Sequence, residues 1–501
     1  MTGPKKLIIL TITVSLVLLF IFSANCSKKK HTENYNVVLI VSDALRSDVL
    51  GCYGGDASTP NIDRLAKRGV LFENAYSTAP STLPSSVAMF SGNYSGSYGM
   101  ITRESQRNKK RNRIAFYVND NETLLAEVFK DRSYDVLMEL ENQVAGLSNN
   151  LQGFNKFKKI SRENRAGINL VENITGIRSH HPRRKGKSGS NPFYNRMYAL
   201  LHYLLTVPED QNFFVMKWII DPHGPYNPIE KFKKKITFDP TTLPGDESLY
   251  TGGLKAIREH ASKNKLSNTE IEYIKSLYKA EVESVDERIG YIMKALTHRG
   301  LLDNTIIVFT SDHGELFGEH GRLGHGQNHY EQLLRVPLIF AGPGIPKGKR
   351  EKSIISNLDL MPTLKDLLGM EYDHNMQGQS YSALFSGEKV PDRTLFFDKA
   401  TNIIEKAKKS ALLMDDYKLI VTKMNSGLSY ELFNLTNDPS ELKNVSLENQ
   451  TVLKKMLKKY MEFKKEINIR LKENIKKIDK RINFDEKWLK AKKELKTLGY
   501  L

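Results

Sequence analysis

The sequence predicts an α/β fold, a mostly parallel sheet flanked by helices, with a small C-terminal subdomain and a C-terminal helix. Three observations predict it. Short, almost wholly apolar runs recur at Val37–Val41, Phe213–Ile220 and Thr305–Phe309, with Val336–Phe340 a fourth. They lack the alternation of half-exposed strands and have the length of parallel strands buried on both faces. Helical segments separate them, and strands alternating with helices build a doubly wound sheet.

The elements follow in order. Thr59-Pro60 opens a helix that Gly69 closes, with a proline in the first turn and a glycine stop. Across residues 101–200 the pattern is weaker. Glu122–Phe129 reads as helix, whereas Ser161–Asn191 is polar, basic and Gly/Ser-bearing, a surface insertion at about 160–192. Ser267–Leu296 and Asp359–Leu368 read as two further helices. The first domain thus spans 35–390. Beyond it, short strands at Tyr417–Val421 and Tyr430–Phe433 mark a small subdomain over 391–450. From Thr451 to Thr497 there is no Gly or Pro. Leu453, Met456, Tyr460, Phe463, Ile467, Leu471, Ile475, Ile478 and Ile482 recur there at steps of three and four, an amphipathic helix within a basic tail over 451–501.

The chain has 501 residues, 40% hydrophobic and 26% charged, enough to bury a sizeable core and too ordered in composition for wholesale disorder. Two cysteines exclude a disulfide scaffold and a thiolate zinc cluster. The net charge is +18, of which residues 451–501 hold +10, with 17 Lys/Arg against 7 Asp/Glu. Basic clusters also lie at Arg103–Arg113 and Arg178–Lys187. This balance suits anionic partners without choosing among them. The clusters lack interleaved aromatics, which speaks against nucleic acid. The tail helix is expected to pack its apolar stripe on the domain or a second subunit and leave its lysines in water, a better account than a lipid-facing role. Oligomeric state is not legible.

Lys5 and Lys6 precede an apolar run from Leu7 to Phe22, followed by Ser-Ala-Asn and Cys26. A basic start, an apolar stretch and a small-residue step describe an export signal over residues 1–26. The run is short for a full crossing, and as no other apolar run is long enough to concern a membrane, this chain is no multi-span channel or transporter. The segment resembles a bacterial lipoprotein signal, which implies lipidation at Cys26 and a place in the cell envelope, tethered to the membrane and facing outward. Asn25 departs from the usual Gly or Ala before that cysteine; an uncleaved anchor is the alternative.

Chemistry follows the apolar runs. The first leads into Ser42-Asp43, the second into Asp221-Pro222-His223, the third into Ser311-Asp312-His313-Gly314. Ligands of open α/β sheets bind at the carboxyl ends of the strands. Taken alone, Asp43 is as well explained as a helix cap. Three such coincidences make a divalent cation site of hard carboxylates and imidazole. Separately, Pro84 in Ser81-Thr82-Leu83-Pro84-Ser85-Ser86 fits the first turn of a helix, which places Thr82 at a positive helix end that favours anions. A metal-bound hydroxyl there could act as a nucleophile, although by spacing alone a plain N-cap accounts for it better.

These motifs together resemble the sulfatase family of the alkaline phosphatase superfamily. The likeness runs through Asn36–Asp43, Leu50-Gly51-Cys52-Tyr53-Gly54, Thr59–Ala66 and Asp221–Tyr226. It continues with Ser311-Asp312-His313-Gly314-Glu315, Gly318-Glu319-His320-Gly321, Gly324-His325-Gly326, Arg335–Ile339 and Asp359–Thr363. It implies an alkaline-phosphatase-like fold and one divalent metal, with Ca, Mg, Mn and Zn all open. Asp43, Asp312 and His313 match the metal ligands and Thr82 the nucleophile, which also meets the metal. His223 and His325 match the positions that hold the substrate's charged group and assist the leaving group. Glu315 and His320 stand nearby as further candidates.

Two departures matter. The formylglycine sulfatases carry Cys or Ser at the nucleophile, followed by x-Pro-Ser-Arg; here Thr82 and Ser86 occupy the nucleophile and arginine positions. Oxidising threonine would yield a ketone, so formylglycine is not expected. Asp43 is followed by Ala44, where many sulfatases have a second aspartate. A sulfated threonine could be released only by a second attack at sulfur, whereas a phosphothreonine can be attacked at phosphorus by water or an alcohol. The expected activity is therefore cleavage or transfer of phosphate mono- or diesters. Sulfate-ester hydrolysis without formylglycine is one alternative. A catalytically silent lipoprotein that binds anionic glycans or lipids is another.

Overall fold

The structure is a computed structural model that describes residues 34–477 except 105–110, 147, 157–164, 178–191, 240–242, 244–247, 252–256, 258, 262–265, 372–374 and 399–407. Cys26, the Arg178–Lys187 cluster and the tail positions Ile478 and Ile482 lie outside the described residues.

The central sheet has eight strands: β1 (Asn36–Ser42), β2 (Gly69–Phe72), β3 (Asp135–Leu140), β4 (Asn155–Lys156), β5 (Phe213–Ile219), β6 (Thr305–Ser311), β7 (Leu338–Ala341) and β8 (Lys349–Glu351). Their spatial order is β8-β2-β7-β6-β1-β5-β3-β4. β1 lies at the centre, parallel to both β5 and β6. The expected fourth parallel strand is a correction: β7 runs antiparallel to β6 and β2. A parallel return needs a crossover to the other end of the sheet. The chain between β6 and β7 makes a short ribbon (Leu316–Phe317 with Leu323–Gly324), a 3-10 turn at Glu319–Gly321 and a one-turn helix, Glu331–Leu334, but no crossover helix.

Helices α1 (Pro60–Lys67), α2 (Thr82–Ser91), α3 (Leu125–Lys130), α4 (Arg165–Thr175), α5 (Pro192–Thr206), α6 (Asn268–His298), α7 (Leu360–Leu367) and α8 (Gln450–Lys477) complete the framework. Ser267 caps α6 in a reciprocal box with Glu270. Gly69 does not merely end α1; it opens β2, where a Cβ would come within 1.9 Å of the Phe340 carbonyl oxygen. Strand side chains alternate between two cores. Val38 and Ile40 meet α5 and α6 through Leu201, Leu204, Ile289 and Ile292. Val37, Leu39 and Val41 meet α2, α3 and α7 through Met89, Phe90, Phe129 and Leu364.

Part of the expected surface insertion is structured. Residues 165–175 form α4, and Val171 is fully buried in the first core. Ile168, Val171 and Ile174 sit three residues apart, an apolar stripe obscured by the basic runs on either side.

The C-terminal strands β9 (Leu395–Asp398), β10 (Lys408–Met414), β11 (Tyr417–Met424) and β12 (Gly427–Asn434) form an antiparallel sheet. One face packs on Tyr76, Leu333 and Leu334 of the larger part. The other takes Leu453 and Met456 of α8. Farther along α8, Phe463 and Ile467 join Ala88, Tyr94 and Leu358, so the apolar stripe of this helix closes on the same chain. Phe463 stacks on Phe396 with centroids 3.5 Å apart.

Candidate active site

Strand register builds the site. Ser42 at the end of β1 pairs with Ile219 of β5 and with Ser311 of β6. The next residues, Asp43 and Asp312, therefore leave the sheet at one level, and both are fully buried. Carboxylate and ring atoms of Asp43, Asp312 and His313 lie within 4.8 Å of one another. His313 Nε2 is 3.8 Å from Asp43 Oδ1 and 3.5 Å from Asp312 Oδ2.

Thr82 enters from α2. Ser81 precedes it in extended conformation and makes no side-chain capping bond. The Thr82 hydroxyl does not cap either: its Oγ1 lies 3.3 Å from His313 Nε2 and 3.5 Å from Asp43 Oδ1. The plain N-cap account is thereby set aside. Asp43 likewise caps nothing, since its Oδ2 accepts from Trp218 Nε1 at 3.0 Å and Asn142 Nδ2 at 2.6 Å.

The donor set fits a divalent cation. Asp312 Oδ1 accepts the backbone N–H groups of Ala44 and His313 at 3.0 and 2.9 Å, while Oδ2 is buried without a hydrogen-bond partner. His313 Nδ1 donates to the Gly314 carbonyl at 2.8 Å, which leaves the Nε2 lone pair toward the carboxylates. Burial, and then the Asp312 charge, push Asp43 up to about 6. Burial pushes Asp312 up to about 6 as well, and holds His313 below the usual imidazole range. Two buried carboxylates that resist ionising together are what a cation relieves. Ala44, in left-handed conformation at φ 58°, gives its backbone N–H to Asp312 Oδ1 and brings no carboxylate of its own to the site.

The remaining expected residues divide. His325 stands between the other imidazoles, with ring centroids 4.3 Å from His313 and 4.9 Å from His223. Its Nδ1 is 3.0 Å from Glu315 Oε1, and Tyr226 donates to Glu315 Oε2 at 3.0 Å. His223 Nδ1 contacts the Gly224 carbonyl at 2.7 Å. His320 is elsewhere, stacked on Tyr330 at 3.6 Å. Asp221 ends beside the second strand as expected, but its carboxylate pairs with Arg288 of α6 at 2.7 Å instead of joining the triad. Arg288 also holds Glu141, itself bonded to the fully buried Lys217.

Sequence reasoning missed Asn142 and Trp218. Asn142 stands two residues beyond β3, the same placement as the other site residues, but Glu139 interrupts the apolar run that would have marked the strand. At the arginine position, Ser86 donates to the carbonyls of Leu83 and Ala145 at 3.0 and 2.9 Å and accepts from Asn150.

A mostly parallel sheet whose strand ends gather a buried carboxylate–imidazole triad around a helix-borne hydroxyl defines a hydrolase of the alkaline phosphatase superfamily. The sequence profile of the sulfatase family matches residues 35–370, and that of the N-sulphoglucosamine sulphohydrolase C-terminal region matches 318–467. This chain belongs to the sulfatase family. It is 27% identical to arylsulfatase K of Xenopus laevis over 88% of this chain and 86% of that one. It is 26% identical to an arylsulfatase of Clostridium perfringens over 86% and 95%. Among solved structures, the phosphonate monoester hydrolase of Agrobacterium radiobacter superposes with a TM-score of 0.64 at 20% identity, covering 86% of this chain and 96% of that one. An enzyme bound to its substrate D-glucosamine-2-N,6-O-disulfate superposes with a TM-score of 0.65 at 21% identity, covering 88% and 99%.

Proposed function

We propose that this sulfatase-family hydrolase cleaves phosphate esters through a covalent intermediate on Thr82. The observation that carries the reading is a threonine hydroxyl, which cannot become formylglycine, set 3.3 Å from His313 Nε2 at the buried triad. Asp43, Asp312 and His313 would hold one divalent cation together with Thr82. That cation would supply charge neutralisation and a lowered hydroxyl pKa.

Thr82 gives up its proton to solvent, and Oγ1 attacks phosphorus in line. The bond from phosphorus to the alcohol oxygen breaks as the new one forms. His325, oriented through Nδ1 by Glu315, gives the departing oxygen a proton from Nε2. His223, whose ring neighbours that of His325, steadies the non-bridging oxygens. Water then attacks the phosphothreonine and gives a proton to His325 Nε2, the bond from phosphorus to Thr82 Oγ1 breaks, and the threonine oxygen takes a proton back from solvent. An acceptor alcohol in place of water would make the same site a transferase. Residues 5–26 support export with tethering at Cys26, which intact-mass analysis of membrane-extracted protein would reveal.

A second reading, sulfate-ester hydrolysis, is favoured by the arylsulfatase relatives and the sulfated-glucosamine complex. Turnover of nitrophenyl phosphate, bis-nitrophenyl phosphate and nitrophenyl sulfate by metal-replete protein separates the two. Phosphate-ester turnover lost in Thr82→Ala supports the proposal. Turnover confined to the sulfate overturns it.

A further inference from the structure

The face of α8 turned away from the protein carries a second stripe. Lys454, Lys458, Met461, Lys465, Ile469 and Lys472 follow one another at steps of three and four and are all exposed. At about 100° per residue they share one side of the helix, opposite the buried Leu453, Met456, Phe463 and Ile467. The acidic residues of the helix avoid it. Glu462, Glu466 and Glu473 sit on the adjoining flank, where the first two pair with Lys459 at 3.1 Å and Arg470 at 3.0 Å. None of the four stripe lysines has a carboxylate partner among the described residues. Between them Met461 stands 62% exposed, and Ile469, at the edge of the stripe, stands 48% exposed where it also lines a cleft with Met361 and Met376.

We infer that, although α8 packs its apolar stripe on the protein as the sequence predicts, its outer lysines do not stay in water but lie on an anionic lipid surface. Four unpaired lysines along one line match a plane of negative headgroups, and each is attracted over no more than a Debye length. Met461 and Ile469 are the discriminating feature. A sulfated polysaccharide would engage the lysines and offer nothing to two apolar side chains, whereas a bilayer takes them below its headgroups. A second copy of the chain is disfavoured, because two such stripes repel. Docked this way, the helix axis lies in the membrane plane with its buried face still closed on the protein.

Lysine acylation of the full chain, read by mass spectrometry, tests the inference at the residues themselves and does not depend on what the amino-terminal segment does. Vesicles of phosphatidylcholine are compared with vesicles containing about a third phosphatidylglycerol, where the four lysines should label about fivefold more slowly. Lys67 of α1 and Lys231, exposed on other elements, serve as internal standards. Raising the salt to about 0.5 M should restore labelling. The double variant Met461→Ser with Ile469→Ser, checked for unchanged thermal unfolding, should lose most of the protection. Equal labelling on both kinds of vesicle overturns the inference. So does protection that the double variant keeps in full, which would reveal a general polyanion surface. Protection that rises with protein concentration without vesicles would reveal self-association instead.

Discussion

At Thr82 a single oxygen decides the chemistry. Removing it in Thr82→Ala should lower phosphate-ester turnover by about three orders of magnitude or more. Thr82→Ser, which keeps the oxygen, should retain measurable activity in the same assay. The carboxylates around it make a separate prediction for the metal-free protein. Asp43 and Asp312 titrate near 6 when folded, above their ordinary unfolded values. Between about pH 4 and 6 the folded state therefore binds more protons than the unfolded one, so stability falls as pH rises through that window. Across that window the loss should be on the order of 2 kcal/mol for each carboxylate, visible as a falling melting temperature. Burial also holds Asp221 and Glu281 up, with the same sign, so the contribution of the triad is the part that Asp43→Asn removes. A saturating divalent cation should raise the melting temperature most above pH 6, where both carboxylates are ionised.

At the scale of elements, α6 anchors the loop that carries His223. Arg288 is 2% exposed and bridges Glu141 after β3 to Asp221 after β5. Two turns away on α6, Glu281 accepts the backbone N–H of Asn227 at 2.7 Å. Arg288→Ala would strip Asp221 of its cation and leave the buried Glu141 with Lys217 alone, a loss of about 3 kcal/mol in urea unfolding. If α6 acts only as a clamp, Asp43 and Thr82 keep their geometry, and the surviving folded fraction should still bind the metal. Loss of metal affinity in that folded fraction would show that the clamp extends to the triad. The direction of β7 belongs to this scale too. Its residues read as a buried strand like any other, and the connection from β6, which holds no helix longer than one turn, returns it antiparallel.

At the scale of the molecule, α8 fastens the C-terminal sheet to the larger part. It covers Leu412, Leu419 and Leu432 with one end and reaches Tyr94 and Leu358 with the other. Phe463, stacked on Phe396 and set edge-on to Tyr94, sits at the junction. Phe463→Ala should cost about 3–5 kcal/mol. A chain stopped before Gln450 should bind a hydrophobic dye and be cut by protease within the four-stranded sheet, because that face is then bare.

The sequence by itself determined the buried strands that carry the site, the residues that follow them, and the oxygen at position 82. These are local facts: a run of apolar residues declares a strand, and the residue after it must stand at the sheet edge. Partnership across the chain was decided only by the tertiary structure. Asp221 looked equivalent to Asp43 and Asp312, yet Arg288, 67 residues away in sequence, takes its carboxylate out of the triad. Asn142 joined through a strand whose charged residues hid it, since Leu140 lies beside Trp218 only once β3 and β5 pair. Glu315 and His325, ten residues apart, meet because the ribbon between them folds back on itself. Periodicity is written in neighbouring residues, whereas hydrogen bonds and ion pairs between distant ones depend on register, and register exists only in the folded sheet.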